Sequence, residues 1–154
     1  MKQLNWWPRL MPGVKSVVVL NLILPNEPIR LQQPFLVTVR LSSPNQAINA
    51  AGVYLQYDPQ ALQLINLDTR ASFCQLYPEK KFDNQLGTIS LACGSPHPGF
   101  KGDNTLMILE FIPLIAGKTS LVTRPETNLL AADGKGTNLL KEKPTAEISI
   151  LTGL

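Results

Sequence analysis

An all-β sandwich is the fold class this sequence predicts, and three observations predict it. Apolar residues alternate in short runs and do not recur at helical spacing. Each run ends at Pro, Gly, Asn or Asp, drawn from 13 prolines and 10 glycines in 154 residues. Charged residues are only 16% of the chain against 44% hydrophobic, which excludes a coiled coil and a disordered chain alike. One domain is the expected count, long enough to bury most of its apolar surface in a single core.

The runs follow in order. Ser16 to Leu24 places Val18, Leu20, Leu22 and Leu24 on one face. Residues 1–15 before it read as a tail or linker remnant, and 16–154 as the domain. Beyond Pro25 and Pro28, Phe35 to Leu41 turns Phe35, Val37, Val39 and Leu41 inward and Thr38 and Arg40 outward, bracketed by Pro34 and Pro44. In Ile48 to Tyr57, Ala51, Val53, Leu55 and Tyr57 share one face, and Ala50, Gly52, Tyr54 and Gln56 the other. Asp58-Pro59 ends that run, because Pro cannot donate to a ladder. Leu62 to Leu67 is the fourth run, and Arg70 to Tyr77 is expected to be irregular.

Thr88 to Cys93 sets Ile89, Leu91 and Cys93 against Thr88, Ser90 and Ala92. Gly94 to Gly99 is too rich in breakers to be anything but a turn. Thr105 to Ile112 groups Met107, Leu109 and Phe111, with Glu110 outward. Thr119 to Val122 is short, and Ala146 to Leu151 closes the chain. Thr127-Asn128-Leu129-Leu130 recurs as Thr137-Asn138-Leu139-Leu140 around Asp133-Gly134, which reads as a symmetric hairpin. About nine strands with several long connections predict a nine-stranded β-sandwich of jelly-roll (Greek-key) topology.

The net charge is +3 and the pI about 9.0. The basic residues are scattered, with one adjacent pair at Lys80-Lys81, so no nucleic-acid surface is indicated. The most apolar stretch, Val17 to Leu24, is far short of the roughly 20 residues of a membrane-spanning helix, so no membrane insertion by this domain is expected. Lys2, Arg9 and Lys15 before it imitate a signal peptide, but Pro25, Asn26 and Glu27 stand where a cleavage site belongs. The chain reads as a domain from a larger secreted protein, or a mature form given a new Met.

No catalytic constellation emerges, and no enzyme is expected. His97, the one histidine, lies between Pro96 and Pro98 in a turn, which removes HExxH and every multi-histidine metal site. Gly117-Lys118-Thr119 imitates the end of a P-loop, but Ile112 holds the position where that motif needs Gly; the segment reads as a turn. Asp58, Asp83, Asp103 and Asp133 read as turn residues. No cofactor and no metal site are expected. Calcium stays open at Asp103-Asn104 and at Asp133 to Asn138, without an EF-hand pattern. Candidate sugar-stacking aromatics are Tyr54, Tyr77 and Phe100, with Trp6 and Trp7 in the tail.

Cys74 and Cys93 are the only cysteines. In a low-charge β-sandwich they read as a disulfide of a secreted protein. Closing a loop of about 20 residues would contribute roughly 3 kcal/mol. Two separate buried thiols are the alternative.

Several pieces join in order: Phe35-Leu-Val-Thr-Val-Arg-Leu-Ser, Ile48-Asn-Ala-Ala-Gly-Val-Tyr-Leu-Gln-Tyr-Asp-Pro with Leu62-Gln-Leu, and Gly87-Thr-Ile-Ser-Leu-Ala. Leu106-Met-Ile-Leu-Glu-Phe, Ala116-Gly-Lys-Thr and Leu130-Ala-Ala-Asp-Gly follow. The ordered set resembles the cohesin domain family over about Ser16 to Leu151, and Tyr57-Asp58-Pro59 followed by Leu62 is its most recognisable piece. The resemblance implies a non-catalytic protein-interaction module of a secreted or cell-surface protein, related in fold to carbohydrate-binding modules. It implies a dockerin-like or other surface protein as partner, gripped by the outward side of the strand before the Tyr-Asp-Pro turn. The matching positions are Ala50, Gly52, Tyr54 and Gln56, extended by Thr88, Ser90 and Ala92 on the neighbouring strand. The family commonly carries polar or charged residues there; this face reads as small and uncharged. A disulfide is not general in the family and implies a branch outside cellulosomes. Two other readings stand beside this one: a carbohydrate-binding module that takes a polysaccharide, and a structural subunit of a surface assembly.

Overall fold

The computed structural model describes residues 18–153. The expected tail, with Trp6 and Trp7, and the first two residues of the opening run lie outside the described residues.

Alternation of buried and exposed side chains builds ten strands. They are β1 (Val19–Ile23), β2 (Ile29–Arg30), β3 (Phe35–Tyr57), β4 (Leu62–Asp68) and β5 (Leu76–Asp83), then β6 (Thr88–Gly94), β7 (Phe100–Pro113), β8 (Gly117–Thr123), β9 (Asn128–Ala131) and β10 (Thr145–Leu151). The chain is all-β, and its hydrogen bonding forms one ten-stranded sheet with the path β2-β10-β8-β3-β6-β5. β1 and β7 also pair β3, β4 pairs β7, and β9 pairs β3.

The long β3 explains how one sheet becomes a sandwich. Its first half, Phe35 to Ser43, pairs β1 and β7, while its second half, from Ile48, keeps one pair with β7 at Phe100 and otherwise pairs β6, β8 and β9. A register shift between Ser43 and Ile48 marks the passage from one layer to the other. Strands that switch layers do so at bulges. Pro44 sits in that bulge, where a missing N–H costs no ladder bond, and the buried Ser43 hydroxyl donates to the Gln46 carbonyl inside it. The expectation that Pro44 separates two strands is therefore corrected: one strand of 23 residues runs through it.

The inward faces of both layers meet in one core. Val37, Val39, Val53, Leu55, Leu91, Leu109 and Leu121 are fully buried. Phe111 of β7 packs at its centre, stacked on Phe35 at 5.8 Å and edge-on to Tyr57 at 5.3 Å. Rings in those arrangements contribute about 0.5–1.5 kcal/mol beyond their buried area.

Four further expectations are corrected. Ten strands form where nine were expected. Leu76–Asp83 is a strand, though the sequence around it reads as irregular up to Tyr77. Gly117-Lys118-Thr119 opens β8 and is not a turn. The symmetric hairpin is only half built: β9 pairs β3, and the second limb touches the first through the single bridge Leu130–Asn138. The Asn138 side chain takes the strand's place, its Oδ1 accepting from the Leu129 and Leu140 N–H groups.

Cys74 and Cys93 are joined, with sulfurs 2.06 Å apart. The bond ties the loop before β5 to the inward side of β6.

Candidate interaction face

The outward side of β3's second half is set by its buried side. Ala51, Val53, Leu55 and Tyr57 enter the core, so Ala50, Gly52, Tyr54 and Gln56 must face away. Antiparallel register places Ala92, Ser90 and Thr88 of β6 opposite Gly52, Tyr54 and Gln56. All seven residues of the expected face thus lie together on adjacent strands.

Tyr54 marks its centre because the ladder changes partner there. β8 pairs β3 at Leu55 to Tyr57, and β9 takes over at Gly52. Between them Arg124 to Thr127 forms a turn closed by the Thr127 N–H on the Arg124 carbonyl at 3.1 Å. The fully buried Thr127 hydroxyl fills the gap in the ladder: it accepts from the Tyr54 N–H at 3.0 Å and donates to the Tyr54 carbonyl at 3.2 Å. That turn raises Arg124 and Glu126 beside Tyr54, where they pair at 3.2 Å.

A side chain at Gly52 would have to displace what lies over it. A Cβ there would sit 2.9 Å from the Asn128 amide nitrogen and 3.1 Å from Tyr54 Cε2. The Tyr54 ring and the Asn128 amide therefore cover the strand at Gly52 and leave an aromatic platform half-exposed.

On the opposite flank, β5 aligns Glu79 with Ala92 and Lys81 with Ser90, and the two charges pair at 3.3 Å. The Glu79 carboxylate lies close enough to act on the Tyr54 phenol. Partial burial, then Glu79, then Glu126 push the Tyr54 phenol above its ordinary 10.0, so it stays protonated and serves as a donor. Gln56 Nε2 is tied to the Leu86 carbonyl at 2.9 Å in the β5–β6 turn.

The face is therefore not uncharged, as the sequence suggested. It is an aromatic centre between two ion pairs, Glu79–Lys81 and Arg124–Glu126. Exposed pairs contribute little to stability. Rim charges instead select partners and set association rates.

The other candidates are dispersed. Tyr77 packs against the core edge, its hydroxyl 3.3 Å from the carbonyls of Thr69 and Cys74. Phe100 stacks on Phe73 at 4.9 Å. Neither shares a strip with Tyr54. Asp133 accepts from the Lys135 N–H and the Thr137 hydroxyl, and that hydroxyl above all holds its carboxyl below the usual range. Asn104 Oδ1 accepts from the Phe73 N–H, and Nδ2 donates to the Ala71 carbonyl. Among the described residues, no three His, Cys, Asp or Glu side chains gather as a metal site. His97 is exposed. Open grooves of about 380 and 350 Å³ lie at Ile23 to Thr38 and between β4 and β5; apart from Lys81, neither contains a face residue. Among the described residues no helix is long and apolar enough to cross a membrane.

No family model and no curated protein matches the sequence. Solved structures do match. A cohesin module from a family 33 glycoside hydrolase of Clostridium perfringens superposes with a TM-score of 0.70 at 17% identity, over 90% of this chain and 100% of that one. The fold is that of a cohesin module. The seventh ScaB type I cohesin from Pseudobacteroides cellulosolvens gives 0.67 at 18% identity, covering 88% and 94% of the two chains. The OlpA cohesin from Clostridium thermocellum, solved as a type I cohesin–dockerin complex with Doc918, gives 0.68 at 12% identity, covering 88% and 100%. The cohesin fold thus extends over nearly the whole described chain.

Proposed function

We propose that this chain is a non-catalytic, cohesin-like protein-interaction module that grips a protein partner with the face centred on Tyr54. The observation that carries the reading is the Tyr54 ring laid over Gly52 between two ion pairs. A rigid, half-exposed aromatic in a charged rim is the make-up of an interface hot spot. A dockerin-like or other surface protein is the partner we infer, on the jelly-roll plan of the modules it resembles. Acids and bases alternate on the face, which disfavours a polyanion such as nucleic acid. The Cys74–Cys93 bond fits an oxidising compartment, so we place the module outside the cell or at its surface. A polysaccharide is the lesser reading, because Tyr77 and Phe100 turn their rings to neighbours and form no strip with Tyr54.

Immobilised wild-type protein is expected to capture a partner from a surface extract of the source organism. Tyr54→Arg should weaken that capture by about 30-fold or more, the effect of losing a hot spot of about 2 kcal/mol. Leu36→Arg, on the other layer, should leave it intact. Identical captured proteins with Tyr54→Arg would remove this face from the account.

A further inference from the structure

β5 is the one strand among those described that buries no residue. It carries Pro78, Lys80 and Lys81, which suit an unpaired edge, and its ladder to β6 is interrupted between Leu76 and Glu79. Its one hydrophobic anchor is the partly buried Tyr77 at the core edge, yet it supplies Glu79 and Lys81 to the face.

What fastens it is the loop Thr69 to Gln75. The Tyr77 hydroxyl reaches the Thr69 and Cys74 carbonyls. Lys80 Nζ donates to Thr69 Oγ1 at 2.8 Å and lies 5.7 Å from the Tyr77 ring centre. The Gln75 N–H reaches the Gly94 carbonyl of β6 at 2.8 Å. The only covalent tie is Cys74–Cys93, two residues before β5 begins.

We propose that the Cys74–Cys93 bond is a positioning element of the interaction face: it holds β5, and with it Glu79 and Lys81, in register beside Tyr54, so the face is complete only in the oxidised protein. The functional consequence rests on the reading of the face given above; the mechanical claim does not. Opening the bond consumes two electrons and two protons from a dithiol. One thiolate attacks a cystine sulfur to form a mixed disulfide. The second thiol then closes the reagent to its own cyclic disulfide, and Cys74 and Cys93 leave as thiols. Local release of an element with so little buried contact follows from the uneven distribution of stability in a fold.

The test is amide hydrogen exchange on the folded protein before and after treatment with a dithiol, followed at residues 76–83, 117–123 and 145–151. Exchange in β5 should rise at least about tenfold while β8 and β10 change less than about twofold. An unchanged β5, or an equal rise in all three strands, would overturn the proposal, the second because the bond would then act on the whole fold. Cys74→Ala/Cys93→Val, examined without reductant, should reproduce the local pattern; if it does not fold, the dithiol-treated wild type still decides. Partner capture measured alongside separates the two claims. A loosened β5 with capture intact upholds the positioning role and counts against the reading of the face.

Discussion

β10 and β5 stand toward opposite ends of the same sheet and are fastened by opposite means. β10 buries Ala146, Ile148 and Ile150 in strict alternation with exposed Thr145, Glu147, Ser149 and Leu151. Its fully buried Ile148 alone removes enough apolar surface for a stabilisation of about 1.5–3 kcal/mol. β5 buries no residue fully, sets only Tyr77 against the core edge, and relies on its ladder, the Thr69 to Gln75 loop, a disulfide and one amide clamp. That clamp is Asn84, just beyond the strand. Its Oδ1 accepts from the Leu64 N–H at 2.9 Å and from the Tyr57 hydroxyl, and its Nδ2 donates to the Leu64 carbonyl at 2.8 Å. It thereby closes the β4 edge and ties the two layers together beside β5. A strand pinned by the core cannot move without unfolding. A strand pinned by polar and covalent ties can be released alone. The proposed interaction face spans both kinds, with Tyr54 on the rigid part and Glu79 and Lys81 on the releasable part.

That contrast can be broken by substitution. Ile148→Ala should cost about 2–5 kcal/mol of unfolding free energy in denaturant titration. Phe82→Ala, at an exposed position of β5, should cost less than about 1 kcal/mol. Comparable losses at the two sites would mean that β5 is anchored by burial after all.

The amide clamp comes next in size. Asn84→Ala leaves the Leu64 N–H and carbonyl and the Tyr57 hydroxyl without their partners, so a loss of about 1–3 kcal/mol is expected. Exchange at residues 62–68 should rise with it, and β10 should not change. A stability equal to wild type would show that water replaces the amide fully.

A smaller effect depends on pH. Burial, then the Asp83 charge, push the Tyr57 phenol from 10.0 to about 12. The fold thus favours the protonated phenol. Its contribution is fully present below pH 10, because the unfolded chain is then protonated too, and is lost as pH rises through about 12. Wild type should lose stability between about pH 9 and pH 11 more steeply than Tyr57→Phe, which has no phenol to titrate. Parallel profiles would contradict the assignment.

The same contrast explains what could be read from the sequence. β10 and both halves of β3 were legible because burial writes an alternation into residue order, and the seven face residues followed as its complement. β5 was not, because a strand with no fully buried side chain writes no alternation; Pro78 and Lys80-Lys81 stand where an apolar run would be. Alternate charges at Glu79 and Lys81 were the available signal, a mark of a protected edge. Pro44 misled because a proline inside a layer-crossing bulge looks the same in sequence as one that ends a strand. The rim of the face was hidden for another reason. Glu79, Lys81, Arg124 and Glu126 reach Tyr54 only through non-local pairing of β5 and the β8–β9 turn, which residue order alone does not specify. The ordered motifs from Phe35 to Gly134 carried the resemblance to cohesins at an identity too low for sequence comparison to register.

The central claim is that a protein partner sits on the Tyr54 face, and hydrogen exchange on the captured complex tests it most directly. The account predicts protection at residues 50–56, 79–81, 88–94 and 120–128, with residues 36–40 and 108–112 on the opposite layer unchanged. Protection confined to that opposite layer, with the Tyr54 face exchanging as in the free protein, would contradict it.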